Sequence, residues 1–229
     1  GLGEWRRVVD WRLTQIEKLP NVFPYLGSPM SAADVLEAGP RDVIIATGST
    51  WRSDGIGRYS KTRFLYNPRS GAERGGENGF LGIFTPDDLM AGKLPKGRVL
   101  IYDDDHYYMG GVLAELLAQN DCTVTLVTPA PEISYWTQFT LEQDRIYKRL
   151  LDLGVTLLPN HVLASLSPEA VTVQHAITSA ASTLPADALV LVTDRIPNDA
   201  LYRELQPALA AGKLDSLRLI GDAEAPNII

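Results

Sequence analysis

The run from residue 97 to residue 158 constrains the fold more than any other part of the chain. Residues 98–102 form an apolar stretch of strand length, 108–119 carry helical periodicity, and 123–127 form a second short apolar run. A further helical pattern covers about 141–153, and 155–158 read as a third strand. Short apolar runs bounded by turn residues and separated by helices fit strands buried on both faces. Strand–helix–strand–helix–strand order then calls for parallel strands joined by helical crossovers, so the predicted class is α/β with a doubly wound sheet.

The flanks are looser. Residues 4–19 read as a helix with Trp5, Val8, Val9, Arg12 and Ile16 near one face, ended by Pro20. Ser31 caps a short helix that Gly39-Pro40 closes, and residues 42–48 form a strand expected to be buried on both faces. Residues 49–82 read as a long loop crossing between domains, after which Thr85-Pro86 opens a capped helix. Residues 162–166, 170–176 and 182–184 predict a small antiparallel β-meander. A buried strand at 187–193, a helix at 197–205 and a last strand at 216–220 follow. The strands at 42–48 and 187–193 share the form Asp, four or five apolar residues, Thr. That echo around a complete α/β unit suggests one domain inserted into another, with segments 1–61, 62–213 and 214–229.

Composition removes several classes of function. The 229 residues are 45% hydrophobic and 21% charged, which suits a folded domain with a proper core. A net charge of −7 repels a phosphate backbone, so nucleic acid is not an expected partner. Cys122 is the only cysteine; one thiol makes no internal disulfide and holds neither an iron–sulfur cluster nor a structural zinc by itself, so it reads as a small buried hydrophobe. His106, His161 and His175 lack metal-ligand spacing, and no metal site is expected. No apolar stretch approaches the roughly 20 residues of a membrane span, and no signal peptide is visible, so a cytoplasmic setting without membrane contact is the expectation. Ser49, Ser60, Ser134 and Ser179 have no Gly-x-Ser-x-Gly setting, no carboxylate pair stands out, and no catalytic residue is assigned.

Ala46-Thr47-Gly48 ends one strand and Gly221-Asp222 follows another. In this order they resemble flavoproteins in which a dinucleotide-binding domain is interrupted by a similar second one. A closer resemblance is carried by Gly1-Leu2-Gly3-Glu4-Trp5 with Thr14-Gln15-Ile16, by Val43 through Gly48, by Phe139-Thr140-Leu141-Glu142, and by Ile220 through Pro226. These segments are similar to the trimethylamine and dimethylamine dehydrogenase family, which is related to NADH:flavin oxidoreductases and 2,4-dienoyl-CoA reductase. The resemblance implies a Rossmann-like, FAD/NAD(P)-binding three-layer fold with a parallel sheet and a small antiparallel β-meander. It implies a parent oxidoreductase in which an N-terminal barrel carries FMN, the amine site and an iron–sulfur cluster, followed by domains that hold ADP where relatives hold FAD. This chain would be the C-terminal, nucleotide-binding-domain fragment, inactive alone. Ala46, Thr47, Gly48, Gly221 and Asp222 would line the ADP (or FAD) pocket. Implied partners are the remainder of the parent chain, an electron-transferring flavoprotein and a second copy of the parent in a homodimer. Trp5, Arg6, Arg7 and Trp11 on the first helix are candidates for docking the flavoprotein or for packing against the parent.

A second nucleotide site would be expected after the 98–102 strand, where glycines allow a tight turn and close approach to pyrophosphate. Asp103, Asp105 and Tyr108 stand there instead, in the turn Asp103-Asp104-Asp105-His106-Tyr107-Tyr108. Each like-charge contact with a phosphate costs about 1 kcal/mol in water and about 4 at an intermediate dielectric. That outweighs a helix-dipole attraction of about 0.3–1 kcal/mol. The second strand ends Val127-Thr128-Pro129, without an acid for a ribose hydroxyl. The turn is therefore read as a vestigial NAD-type site. It lacks the alternate spacing of a calcium loop and reads as a solvated acidic turn capping the next helix. Tyr107, Tyr108, Tyr135 and Trp136 are read as filling the emptied groove from within the protein, with facing the barrel domain of the parent as the alternative. Two rivals stay open: an NAD(P)H-dependent, dienoyl-CoA reductase-like enzyme, and a non-catalytic scaffold or docking module.

Overall fold

The computed structural model describes residues 2–61 and 82–227. Along the first half lie α1 (Arg6–Glu17), α2 (Ala32–Ala38), β1 (Asp42–Ile45), β2 (Ser49–Trp51), β3 (Gly82–Phe84), α3 (Pro86–Met90), β4 (Arg98–Asp103), α4 (Tyr108–Gln119) and β5 (Thr123–Val127). The second half adds α5 (Gln143–Asp152), β6 (Thr156–Leu158), β7 (His161–Leu166), β8 (Ala170–His175), β9 (Ala181–Pro185), β10 (Ala188–Val192), β11 (Arg195–Pro197), α6 (Ala200–Ala210) and β12 (Ser216–Leu219). The chain divides into two compact units, Gly1–Ser49 with Pro197–Asn227, and Thr50–Ile196.

The larger unit is built on a parallel sheet in the order β3-β10-β4-β5-β6. Alternation along each strand sends neighbouring side chains to opposite faces. Val99 and Ile101 of β4, with Val124, Leu126 and Val190, pack under Leu113, Ala114 and Leu117 of α4 and Leu150 of α5. Leu100 and Tyr102, with Val127, Leu189 and Leu191, face Leu163, Val171 and Val173. Those last three belong to the antiparallel sheet β7-β8-β9, which is the expected meander. Helices, parallel sheet and antiparallel sheet thus make three layers. This double-sided cover is why all five residues of β10 are buried. Part of the expected 49–82 loop is ordered as β2 and the turns after it; its 62–81 portion lies outside the described residues.

In the smaller unit β1 and β12 pair in parallel, with Val43, Ile45 and Leu217 buried against Val35 of α2 and Leu205 and Ala208 of α6. The strand expected to be buried on both faces is buried on one: Ile44 is 62% exposed, because the helices cover a single side of this two-stranded pairing. Helix α6, read from the sequence as part of the middle segment, packs here against β12. α1 buries none of its described side chains, so the apolar face expected around Val8 and Val9 is exposed. The side chain of Trp5 lies outside the described residues. Ser31 caps α2 in a capping box with Asp34, and Thr85 does the same for α3 with Asp88. Among the described residues no helix is long and apolar enough to cross a membrane.

Candidate functional site

The parallel register of β1 on β12, from Asp42 opposite Ser216 to Ile45 opposite Leu219, makes both strands finish side by side. The amide of Ile220 donates to the Ile45 carbonyl at 3.0 Å and extends the pairing one step. All five residues read as pocket-lining therefore meet at one strand edge. Ala46 and Thr47 are exposed and Gly48 half-buried; Gly221 is exposed and Asp222 half-buried. The Ser49 hydroxyl donates to Asp222 Oδ2 at 3.1 Å and ties the two strand ends together. Thr47 Oγ1 donates to the Asn198 carbonyl at 2.5 Å, while the Asn198 side-chain amide donates to the Thr47 carbonyl at 3.2 Å and its backbone amide to the Gly48 carbonyl at 2.9 Å. Gly48 and Gly221 have φ of 72° and 63°, the left-handed region that glycine adopts without strain. A Cβ at either would meet nothing within 4 Å. The edge therefore offers open backbone beside a carboxylate, which fits a group lying flat against the chain and offering hydroxyls to Asp222.

The end of β4 in the larger unit is the opposite case. Asp103 and Asp104 are 0% exposed and Asp105 5%, so the acidic turn expected to be solvated is buried. It does not cap α4 either: Tyr107 stands at that helix's N-terminus without a side-chain cap bond. Asp103 Oδ1 instead accepts from the amides of Asp105 at 3.1 Å and His106 at 3.0 Å, turning the chain back on itself. Asp104 Oδ2 accepts from the amide of Tyr59 at 2.9 Å, and Asp104 Oδ1 lies 3.0 Å from His106 Nε2. Asp105 Oδ1 is 4.0 Å from Arg58 Nη2. The Arg58 guanidinium itself sits 4.6 Å above the Trp136 ring. Trp136 in turn donates its amide to the His106 carbonyl at 3.0 Å. Burial pushes the Asp103 carboxyl up to about 7, against the pull of His106 and the amides. Burial also raises Asp105, opposed by Arg195 and Arg58.

Two glycines that sequence reasoning passed over make this packing work. A Cβ on Gly57 would stand 2.1 Å from Asp104 Oδ2, and one on Gly110 would stand 2.4 Å from Asp103 Oδ2. Gly110-Gly111 inside a helical pattern was a readable sign of close helix–strand approach. Nothing local marked Gly57, Arg58 or Arg195, whose partners lie far along the chain. Tyr108 is held by its hydroxyl to Glu142 and Thr140, which fastens the 135–140 turn beside α4. Cys122 is buried, with Sγ 3.3 Å from the Pro95 carbonyl, and burial raises its thiol pKa. Among the described residues no group of three or more His, Cys, Asp or Glu is placed to hold a metal ion.

Residues 84–177 match the family described as the OYE-like second alpha/beta domain. The chain is 30% identical over 256 residues to dimethylamine dehydrogenase of Hyphomicrobium sp. (strain x), a match that takes in 100% of this chain and 33% of that protein. Among solved structures, histamine dehydrogenase from Rhizobium sp. 4-9 is 38% identical with a TM-score of 0.89, covering 100% of this chain and 34% of its own. The 6-hydroxypseudooxynicotine amine oxidase of Pseudomonas geniculata N1 is 36% identical, also with a TM-score of 0.89, covering 99% of this chain and 32% of its own. The chain spans about a third of the length of these relatives. It is a mixed α/β chain homologous to dimethylamine dehydrogenase and similar in structure to histamine dehydrogenase, and its residues 84–177 match the OYE-like second alpha/beta domain.

Proposed function

We propose that this chain is the nucleotide-domain portion of a flavin-dependent oxidoreductase that oxidises a small amine. The homology to amine dehydrogenases supports the reaction class. The observation that carries the role of this portion is the open edge formed by Ala46, Thr47, Gly48, Gly221 and Asp222. On this reading those residues line an ADP (or FAD) pocket, with Gly48 and Gly221 letting a nucleotide approach the backbone and Asp222 accepting from its hydroxyls. The larger unit is a Rossmann-like domain inserted into the smaller one. FMN and an iron–sulfur cluster belong to the rest of the full-length protein, since a cluster needs several thiolates and this chain has one cysteine. Redox chemistry at the flavin is the activity of the whole protein; the residues here bind and position.

Calorimetric titration of the full-length protein with ADP, FAD, NADH and NADPH tests the reading. Binding of ADP or FAD that weakens about tenfold or more in Asp222→Ala is the expected result, a loss of about 1.4 kcal/mol. NADH and NADPH are expected to be silent, because the β4–α4 turn presents buried carboxylates and a packed loop. Saturable NADH binding that survives in Asp222→Ala would promote the NAD(P)H-dependent reductase. A second role is favoured by α1, which leaves Trp11 63% exposed beside Arg6 and Arg7. Docking of an electron-transferring flavoprotein there predicts that Arg6→Ala with Arg7→Ala weakens capture of that partner; unchanged capture leaves an inert scaffold.

A further inference from the structure

Carbonyl oxygens along the open strand edge are turned onto donors of the protein itself, and one residue beside the edge holds two of them. We infer, resting on the nucleotide reading of this edge, that Asn198 is its positioning residue. It fixes the Thr47–Gly48 backbone in the orientation that lets the diphosphate of ADP, or of the ADP half of FAD, lie against the chain.

The Ile45 carbonyl accepts from the Ile220 amide at 3.0 Å, and that of Gly221 from the amides of Glu224 and Ala225 at 2.9 and 3.0 Å. Asn198 takes the next two. Its backbone amide donates to the Gly48 carbonyl at 2.9 Å and its side-chain amide to the Thr47 carbonyl at 3.2 Å. The Thr47 hydroxyl donates back to the Asn198 carbonyl at 2.5 Å, so the clamp closes from both sides. Its base is fixed: α6 begins at Ala200, just after Asn198, and buries Leu205 and Ala208 against Val43 and Ile45 of β1.

The orientation matters because a diphosphate is anionic. A carbonyl oxygen turned toward it repels, whereas backbone amides attract. The Gly48 amide belongs to the same planar unit as the Thr47 carbonyl, and the two point in opposite directions. Holding that carbonyl on Asn198 therefore turns the Gly48 amide away from Asn198 as a donor. Gly48 has φ 72° and no side chain to resist rotation of this peptide, so the backbone alone does not keep it there. Without the Asn198 amide, the Thr47 oxygen is released to turn toward the ligand.

Calorimetric titration of the full-length protein with ADP and with FAD, well below its thermal midpoint, reads the role. Asn198→Ala is expected to weaken the nucleotide that binds wild type by about tenfold, as for one lost hydrogen bond. Thr47→Val opens the clamp from the other side and carries the test should Asn198→Ala not fold; Thr47→Ser, which keeps the hydroxyl, is expected to recover most of its loss. Since both residues act through one clamp, the double variant Asn198→Ala with Thr47→Val is expected to bind about as weakly as either single one, and not about a hundredfold more weakly than wild type. A merely structural Asn198 would lower the thermal midpoint and leave the affinity of the folded protein unchanged. That result overturns the inference, and so do losses that multiply in the double variant. Binding lost in Asp222→Ala but kept at wild-type strength in Asn198→Ala sinks the positioning role and leaves the pocket standing. Wild-type protein that takes up neither nucleotide overturns both together.

Discussion

Two ends of parallel strands in this protein meet opposite fates. At the end of β1 and β12, glycines in left-handed backbone leave the edge open and a carboxylate half-exposed. At the end of β4, three carboxylates are buried under a loop, with two glycines serving to let the protein's own atoms in. A strand end at the carboxyl edge of a parallel sheet is a ligand position by topology. Whether it receives a ligand depends on what already occupies it. Glycine is ambiguous on this point: Gly48 keeps space free, while Gly57 and Gly110 give space away.

The largest break in this contrast should come from Gly110→Val. Its new side chain would collide with Asp103, and overpacking of this kind costs about 3 kcal/mol, seen as a lower denaturant midpoint. A cost below about 1 kcal/mol would show that β4 and α4 are not in the close contact described. Next comes Asp103→Asn, for which the sign is worked from the raised pKa. Asp103 titrates near 3.8 in the unfolded chain and at about 7 when folded. Its contribution to stability is therefore complete below about pH 4 and lost as pH rises through 7. Between pH 5 and pH 7 the asparagine variant should gain on wild type by about 2 kcal/mol, and equal slopes of stability against pH would refute the buried turn.

Gly48→Ala sharpens the other side of the contrast. The site has room, so the expected cost is the left-handed backbone alone, about 1 kcal/mol, together with weaker ADP binding. A loss as large as that of Gly110→Val would mean the edge is packed, not open. The smallest effect is expected at Arg7→Ala, whose pairing with Glu4 at 3.2 Å is almost wholly exposed. Thermal unfolding should shift by less than about 0.5 kcal/mol in equivalent stability, so that any larger loss of partner capture reports docking and not folding.

Much of this was legible in the residues. The α/β alternation from β4 to β6, the meander and the helix caps at Ser31 and Thr85 follow from short-range pattern. Each depends on periodicity or on a motif within a few residues. The acidic turn was misjudged, because Asp-Asp-Asp next to a helix start reads as solvent-facing by composition alone. Its burial rests on Arg58, Tyr59 and Arg195, and on the indole of Trp136 that holds Arg58 in place.

The sequence by itself determined the longer strands and helices, though not β2, β3 or β11, and which glycines, acids and aromatics stand at the strand ends. Those properties are set by neighbours along the chain, through backbone sterics and side-chain alternation. Only the tertiary structure decided which strand end is open and which is filled. The charge state and exposure of a carboxylate depend on groups within a few ångströms in space, and here they arrive from some 45 residues earlier and some 90 later.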